Sequence, residues 1–138
     1  IFIILQIGFT TTMTPKLTLQ IAALLGAMSV IIGAFGAHGL HDLLIENDRL
    51  DVFEKAVMYQ SYHSLALLLV AILMRSNESR YLNWSAGLFV FGVLIFSGSL
   101  YALSVTNFTI FGAITPIGGI LFILGWLALF RYANHLKI

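Results

Sequence analysis

The residues best suited to chemistry in this chain are histidines, tyrosines and hydroxyls set in apolar surroundings. His38 and His41 are three residues apart, and His38 and Asp42 are four apart. A helix through them would put them on one side. His63 follows Tyr59 by four residues, inside the crowded run Tyr59, Gln60, Tyr62, His63 and Ser64. Ser97, Ser99, Tyr101 and Thr115 add hydroxyls further along. If the helices bearing His38 and His63 are antiparallel neighbours, the two imidazoles reach the same membrane level. Imidazoles with a carboxylate hold divalent metals or relay protons, and ionisable groups inside a membrane raise functional suspicion. The candidate polar cluster is therefore His38, Tyr59, His63, Ser97, Ser99, Tyr101 and Thr115, for a lipid, quinone or proton, with His38, His41 and His63 as weak metal candidates.

A plainer reading stands beside it. His38 closes the end of a helix, His63 bonds a carbonyl or serine across an interface, and the hydroxyls join helices. The sequence has no HExxH pattern and no cysteine, and no carboxylate falls within its apolar runs. No nucleophile–base set can be assembled, so no enzymatic activity is expected and no cofactor is implied. Gly33-Ala-Phe-Gly-Ala-His-Gly39 is not followed by Lys-Ser/Thr, which rules out a phosphate-binding loop.

The elements that carry these residues are membrane helices. The chain has 138 residues, 59% hydrophobic and 9% charged. Its mean hydropathy is +0.97. Soluble domains carry about 25% charged residues. A span needs about 20 apolar residues, so four spans use most of the chain. The apolar runs are continuous rather than alternating, which argues against a transmembrane β-barrel. A net charge of +1 gives no reason to expect a nucleic-acid partner.

The spans are expected at residues 17–37, 52–74, 82–105 and 116–133, in one domain over 13–138. Thr14-Pro15 and Thr115-Pro116 each read as a cap followed by proline at the first helical position. Between the first two spans, Leu40, Leu43 and Leu44 oppose His41, Asp42 and Glu46, as in a short amphipathic helix on the membrane surface. Asn47-Asp48 breaks it, and Asp51 with Glu54 fits a capping box. Gly26, Ser29, Gly33 and Gly36 form a ridge of small residues on the first span. Gly39, Gly118, Gly119 and Gly125 are further candidates for close helix packing. The expected fold is thus all-α, a bundle of four transmembrane helices with an interfacial helix between the first two.

Residues 1–12 are expected to be an extra apolar segment outside the native domain, because Met13 opens a sensible helix entry. Lys16, Arg75, Arg80, Arg131 and Lys137 fall on one side of the spans, against Arg49 and Lys55 among five acids on the other. The positive-inside rule then puts both termini in the cytoplasm. A bacterial inner membrane is expected ahead of a mitochondrial one, since no transit peptide is visible. The Asn-x-Ser/Thr triplets at Asn77, Asn83 and Asn107 lie at or beside the spans and read as chance matches.

Four segments carry a resemblance. They are GAFGAHGL at 33–40, FEKAVMYQSYHSLALL at 53–68, FSGSLYAL at 96–103 and GAITPIGGILFILGW at 112–126. In order and spacing they resemble the domain-of-unknown-function 423 family, which includes transmembrane-protein-256-like members. The resemblance covers about residues 20–130 and leaves out the first twelve. It implies a four-helix inner-membrane protein and supplies no catalytic residues. The leading expectation is a small accessory, assembly or scaffold subunit in the lipid bilayer, packing against other membrane subunits or as a homo-oligomer. On this expectation Gly33 or Gly36 replaced by leucine breaks association.

Overall fold

The computed structural model describes residues 13–136, so the extra segment at 1–12 and Lys137 lie outside the described residues. Among the described residues five helices run in order: α1 Pro15–Ala37, α2 His41–Glu46, α3 Leu50–Met74, α4 Arg80–Thr106 and α5 Ile110–Ala133. No strand occurs among the described residues. α1, α3, α4 and α5 are each long and apolar enough to cross a membrane. The extensive contacts run α1 to α3, α3 to α4 and α4 to α5. α3 and α4 are therefore the inner helices, and α1 and α5 the outer ones.

Local sequence explains most boundaries. Thr14 accepts from the Leu17 amide at 3.2 Å and Pro15 opens α1, as its fixed φ suits the first turn. α1 closes when the amides of His38 and Leu40 both turn back to the Phe35 carbonyl. His38 and His41 therefore do not share one helix face, because α1 has ended before α2 begins. α2 keeps Leu44 fully buried and leaves His41, Asp42 and Glu46 exposed. Asp48, at φ 54, turns the chain into α3. Ser79 caps α4 through the Tyr81 amide, and Asn107, at φ 56, ends it in the left-handed conformation asparagine tolerates.

Two expected starts are corrected. α5 begins at Ile110, not at Pro116, which lies inside the helix. Proline removes one amide, but membrane helices tolerate this where neighbours and hydroxyls re-satisfy the backbone. Thr115 does not cap a helix; its hydroxyl lies 3.2 Å from the Phe111 carbonyl, within the same helix. α3 begins at Leu50, and the capping box does not form. Asp51 instead pairs with Lys55 at 3.0 Å, one turn on.

Lipid solvates apolar side chains as well as protein does, so helix association rests on close packing and hydrogen bonds. The α4–α5 seam shows this reciprocally. The Phe122 ring lies over Gly92 of α4, and the Phe89 ring lies over Gly125 of α5. A side chain at Gly118 would overlap the backbone of Phe96, so the two helices touch there directly. On the α1–α3 seam, Gly26 faces Ser64, Gly33 faces Val57 and Gly36 faces the Phe53 ring. Buried Ser29 bonds back to the Gly26 carbonyl at 2.8 Å.

Candidate functional site

The polar residues of the spans resolve into separate ties rather than one chamber. Gln60 is the most connected. Its amide donates to the Leu25 carbonyl of α1 at 2.9 Å, and its carbonyl accepts from the Tyr101 hydroxyl of α4 at 3.0 Å. One turn back on α3, the Ala56 carbonyl accepts from Ser97 of α4 at 2.8 Å. Ser99 and Thr115 join α4 to α5, their hydroxyls 2.8 Å apart. Each of these groups is buried or half-buried. A side chain from α3 or α4 thus joins every adjacent pair of spans.

His63 makes the tie between α3 and α5. Its Nδ1 lies 2.8 Å from the Tyr59 carbonyl, which can only accept, so Nδ1 carries the proton. Nε2 then accepts from the Trp126 indole N–H at 3.3 Å. This assigns one neutral tautomer with both nitrogens engaged. The ring stacks on Phe122 with centroids 3.5 Å apart, and Phe89 stands edge-on at 5.3 Å. Tyr59 lies parallel at 6.1 Å. In this setting the imidazole acts as an aromatic plate with a hydrogen bond at each side.

His38 takes no part. Facing pairs along the α1–α3 seam run Gly26–Ser64, Gly33–Val57 and Gly36–Phe53, so His63 is level with residues near 27. Eleven residues separate that level from His38, about 16 Å at 1.5 Å per residue. His38 is exposed, its Nδ1 3.0 Å from the Ala34 carbonyl. The expectation that His38 and His63 reach one level is therefore corrected: the α1–α3 register staggers them. Asp42 lies beside His41 at 3.5 Å instead of pairing with His38. His38, His41 and His63 do not converge, and among the described residues no three metal-ligating side chains come together.

Of the packing candidates, Gly26, Ser29, Gly33, Gly36, Gly118 and Gly125 lie against partners inside the chain. Gly119 stands 3.8 Å from the Phe96 ring at the position of a Cβ, and Gly39, in the turn after α1, has only Phe35 of α1 nearby. Several residues in the ties escaped the candidate cluster. Gln60 stood in the sequence as an uncharged amide in an apolar run, a signal that it needed partners. Trp126, Phe122, Phe89 and Gly92 gave no such signal, since their roles arise only once α4 and α5 are in register.

Helices of this length, joined inside the bilayer by buried amide, hydroxyl and imidazole groups, define an α-helical multi-pass membrane protein. The chain belongs to the DUF423 family, described as a protein of unknown function, whose sequence profile matches residues 32–119. It is similar to a UPF0382 membrane protein of Staphylococcus epidermidis, 49% identical over 114 residues that cover 83% of this chain and 92% of that one. A UPF0382 membrane protein of Staphylococcus haemolyticus is 50% identical over the same shares. One from Staphylococcus aureus is 47% identical over 123 residues, 86% of this chain and 99% of that relative. No solved structure matches the chain.

Proposed function

We propose that the protein is a small structural subunit of a bacterial inner membrane, working through a lateral face rather than an internal site. The observation that carries this is the outward face of α4. Gly87 and Gly98 are eleven residues apart there, about three turns, with Leu94 between them and Val105 beyond. At both glycines the place of a Cβ is open space. The ridge on α1, by contrast, is filled by α3 of the same chain. Small residues on an outward face let a second membrane helix approach closely. The partner is another membrane subunit or a second copy, and the interior hydrogen bonds hold the face rigid.

The excess of Lys and Arg at the ends of α1, α3, α4 and α5 that lie away from α2 supports an orientation with both termini in the cytoplasm. The test of the main reading is native mass spectrometry of complexes extracted in mild detergent. Gly87→Leu and Gly98→Leu are expected to lose a stable partner while keeping wild-type thermal stability. Wild-type assembly in both variants would remove the reading.

A further inference from the structure

At the end of the bundle that carries α2, a groove of about 340 Å³ lies between α1 and α3. Its body is apolar, with Gly33, Val57 and Met58 along it and the Phe53 ring at its side. Its polar lining is His41 of α2 and Glu54 of α3, at the α2 end beside Ala37 and Leu50. From Glu54 to Met58 is four residues, about 6 Å along the helix. The lining thus changes from carboxylate to thioether within about one helical turn. The volume is at the small end of ligand pockets, about 300–1,000 Å³. That suits one acyl chain segment beneath a head group.

The charges at this end decide which head group fits. Asp42, Glu46, Asp48, Asp51 and Glu54 all belong to this corner. Of its two fixed cations, Arg49 donates to Asn107 at 3.1 Å and Lys55 is paired with Asp51 at 3.0 Å. Glu54 is exposed and has no hydrogen bond or ion pair with any described residue. A compact ammonium with N–H donors is the complement of a free carboxylate, and such charge-assisted bonds are the strong ones. An anionic head would meet the corner's excess of carboxylates over cations.

We infer that this groove holds one phospholipid whose head group ends in a primary amine, with the amine on Glu54 and an acyl chain along Val57 and Met58. The site is separate from the outward face of α4, so either assignment stands without the other.

The test uses the full chain in detergent, stripped of lipid and then titrated with phosphatidylethanolamine, phosphatidylcholine or phosphatidylglycerol, with bound lipid counted by native mass spectrometry. One phosphatidylethanolamine is expected to bind about tenfold more tightly than either of the others, the difference of one charge-assisted hydrogen bond. Glu54→Gln is expected to erase that preference while leaving circular dichroism and thermal stability unchanged. Met58→Trp, which fills the apolar body, is expected to lose all three lipids. Equal binding of the choline lipid, preference for the anionic lipid, or an unchanged preference in Glu54→Gln would each overturn the assignment. So would full lipid binding by Met58→Trp.

Discussion

Gln60 illustrates how much one uncharged side chain does inside a membrane. It ends at an α1 carbonyl on one side and an α4 hydroxyl on the other, so it ties α3 to both neighbours. Hydrogen bonds between membrane helices are worth about 0.6 kcal/mol on average, up to about 1.7. Gln60→Leu removes two of them and is expected to cost about 1–2 kcal/mol in a reversible unfolding titration. Tyr101→Phe is expected to be costly in the wild type and nearly silent in the Gln60→Leu background, since its partner is then already gone. Equal costs in both backgrounds would show that the Tyr101 hydroxyl bond carries no stability. At this scale the sequence was informative about types and not about pairings. Tyr59, His63, Ser97, Ser99, Tyr101 and Thr115 stood out as polar groups in apolar runs. Which of them meet depends on helix register. The register of His38 against His63 is not set by sequence spacing.

At the scale of the element, glycines decide how near two helices come. Gly118 and Gly119 are neighbours in α5 with opposite surroundings. The place of a Cβ on Gly118 falls on the Phe96 backbone, which cannot yield as a side chain can. At Gly119 it would stand 3.8 Å from the ring, an ordinary contact. Gly118→Ala is therefore expected to destabilise by about 1–3 kcal/mol, as overpacking does. Gly119→Ala is expected to be neutral or stabilising by up to about 1 kcal/mol, the gain in helix propensity. Thermal melts of the two variants in one detergent check this, and a reversed order would mean that the α4–α5 seam is misplaced. The same reasoning relocates the surface for a partner. Gly36→Leu overlaps Phe53 inside the chain and is expected to lose the fold, whereas Gly98→Leu meets open space. From sequence the two glycines look alike, for both sit in an apolar run. Only the neighbour distinguishes them.

For the whole molecule, length and composition made the architecture legible. Four runs of apolar residues with polar punctuation gave four spans, and Leu40, Leu43 and Leu44 marked the surface helix. Pro116 misled, because a rule drawn from helix starts in water applies less strictly where lipid forbids an unpaired loop. Orientation is a property at this scale and is directly measurable, since the chain has no cysteine. Asp48→Cys in intact cells is expected to react with a membrane-impermeant maleimide. Asn77→Cys is expected to react only after permeabilisation. The opposite pattern would invert the topology.

The corner after α2 has a bearing on how the protein is made. Asn47 donates to the Ser104 and Val105 carbonyls at the end of α4, at 2.9 and 3.2 Å, and Arg49 reaches Asn107. These partners lie 57 or 58 residues further along the chain. At ribosomal rates of about 5–20 residues per second, they follow Asn47 by about 3–12 s. For that interval α1 and α3 are an unlatched hairpin, with the acidic segment between them not yet held. The end of α4 is the latch, and its arrival fixes α2 in place. Biogenesis thus has an order written into the chain: this corner sets only when the third long helix is in place, with α5 still to follow.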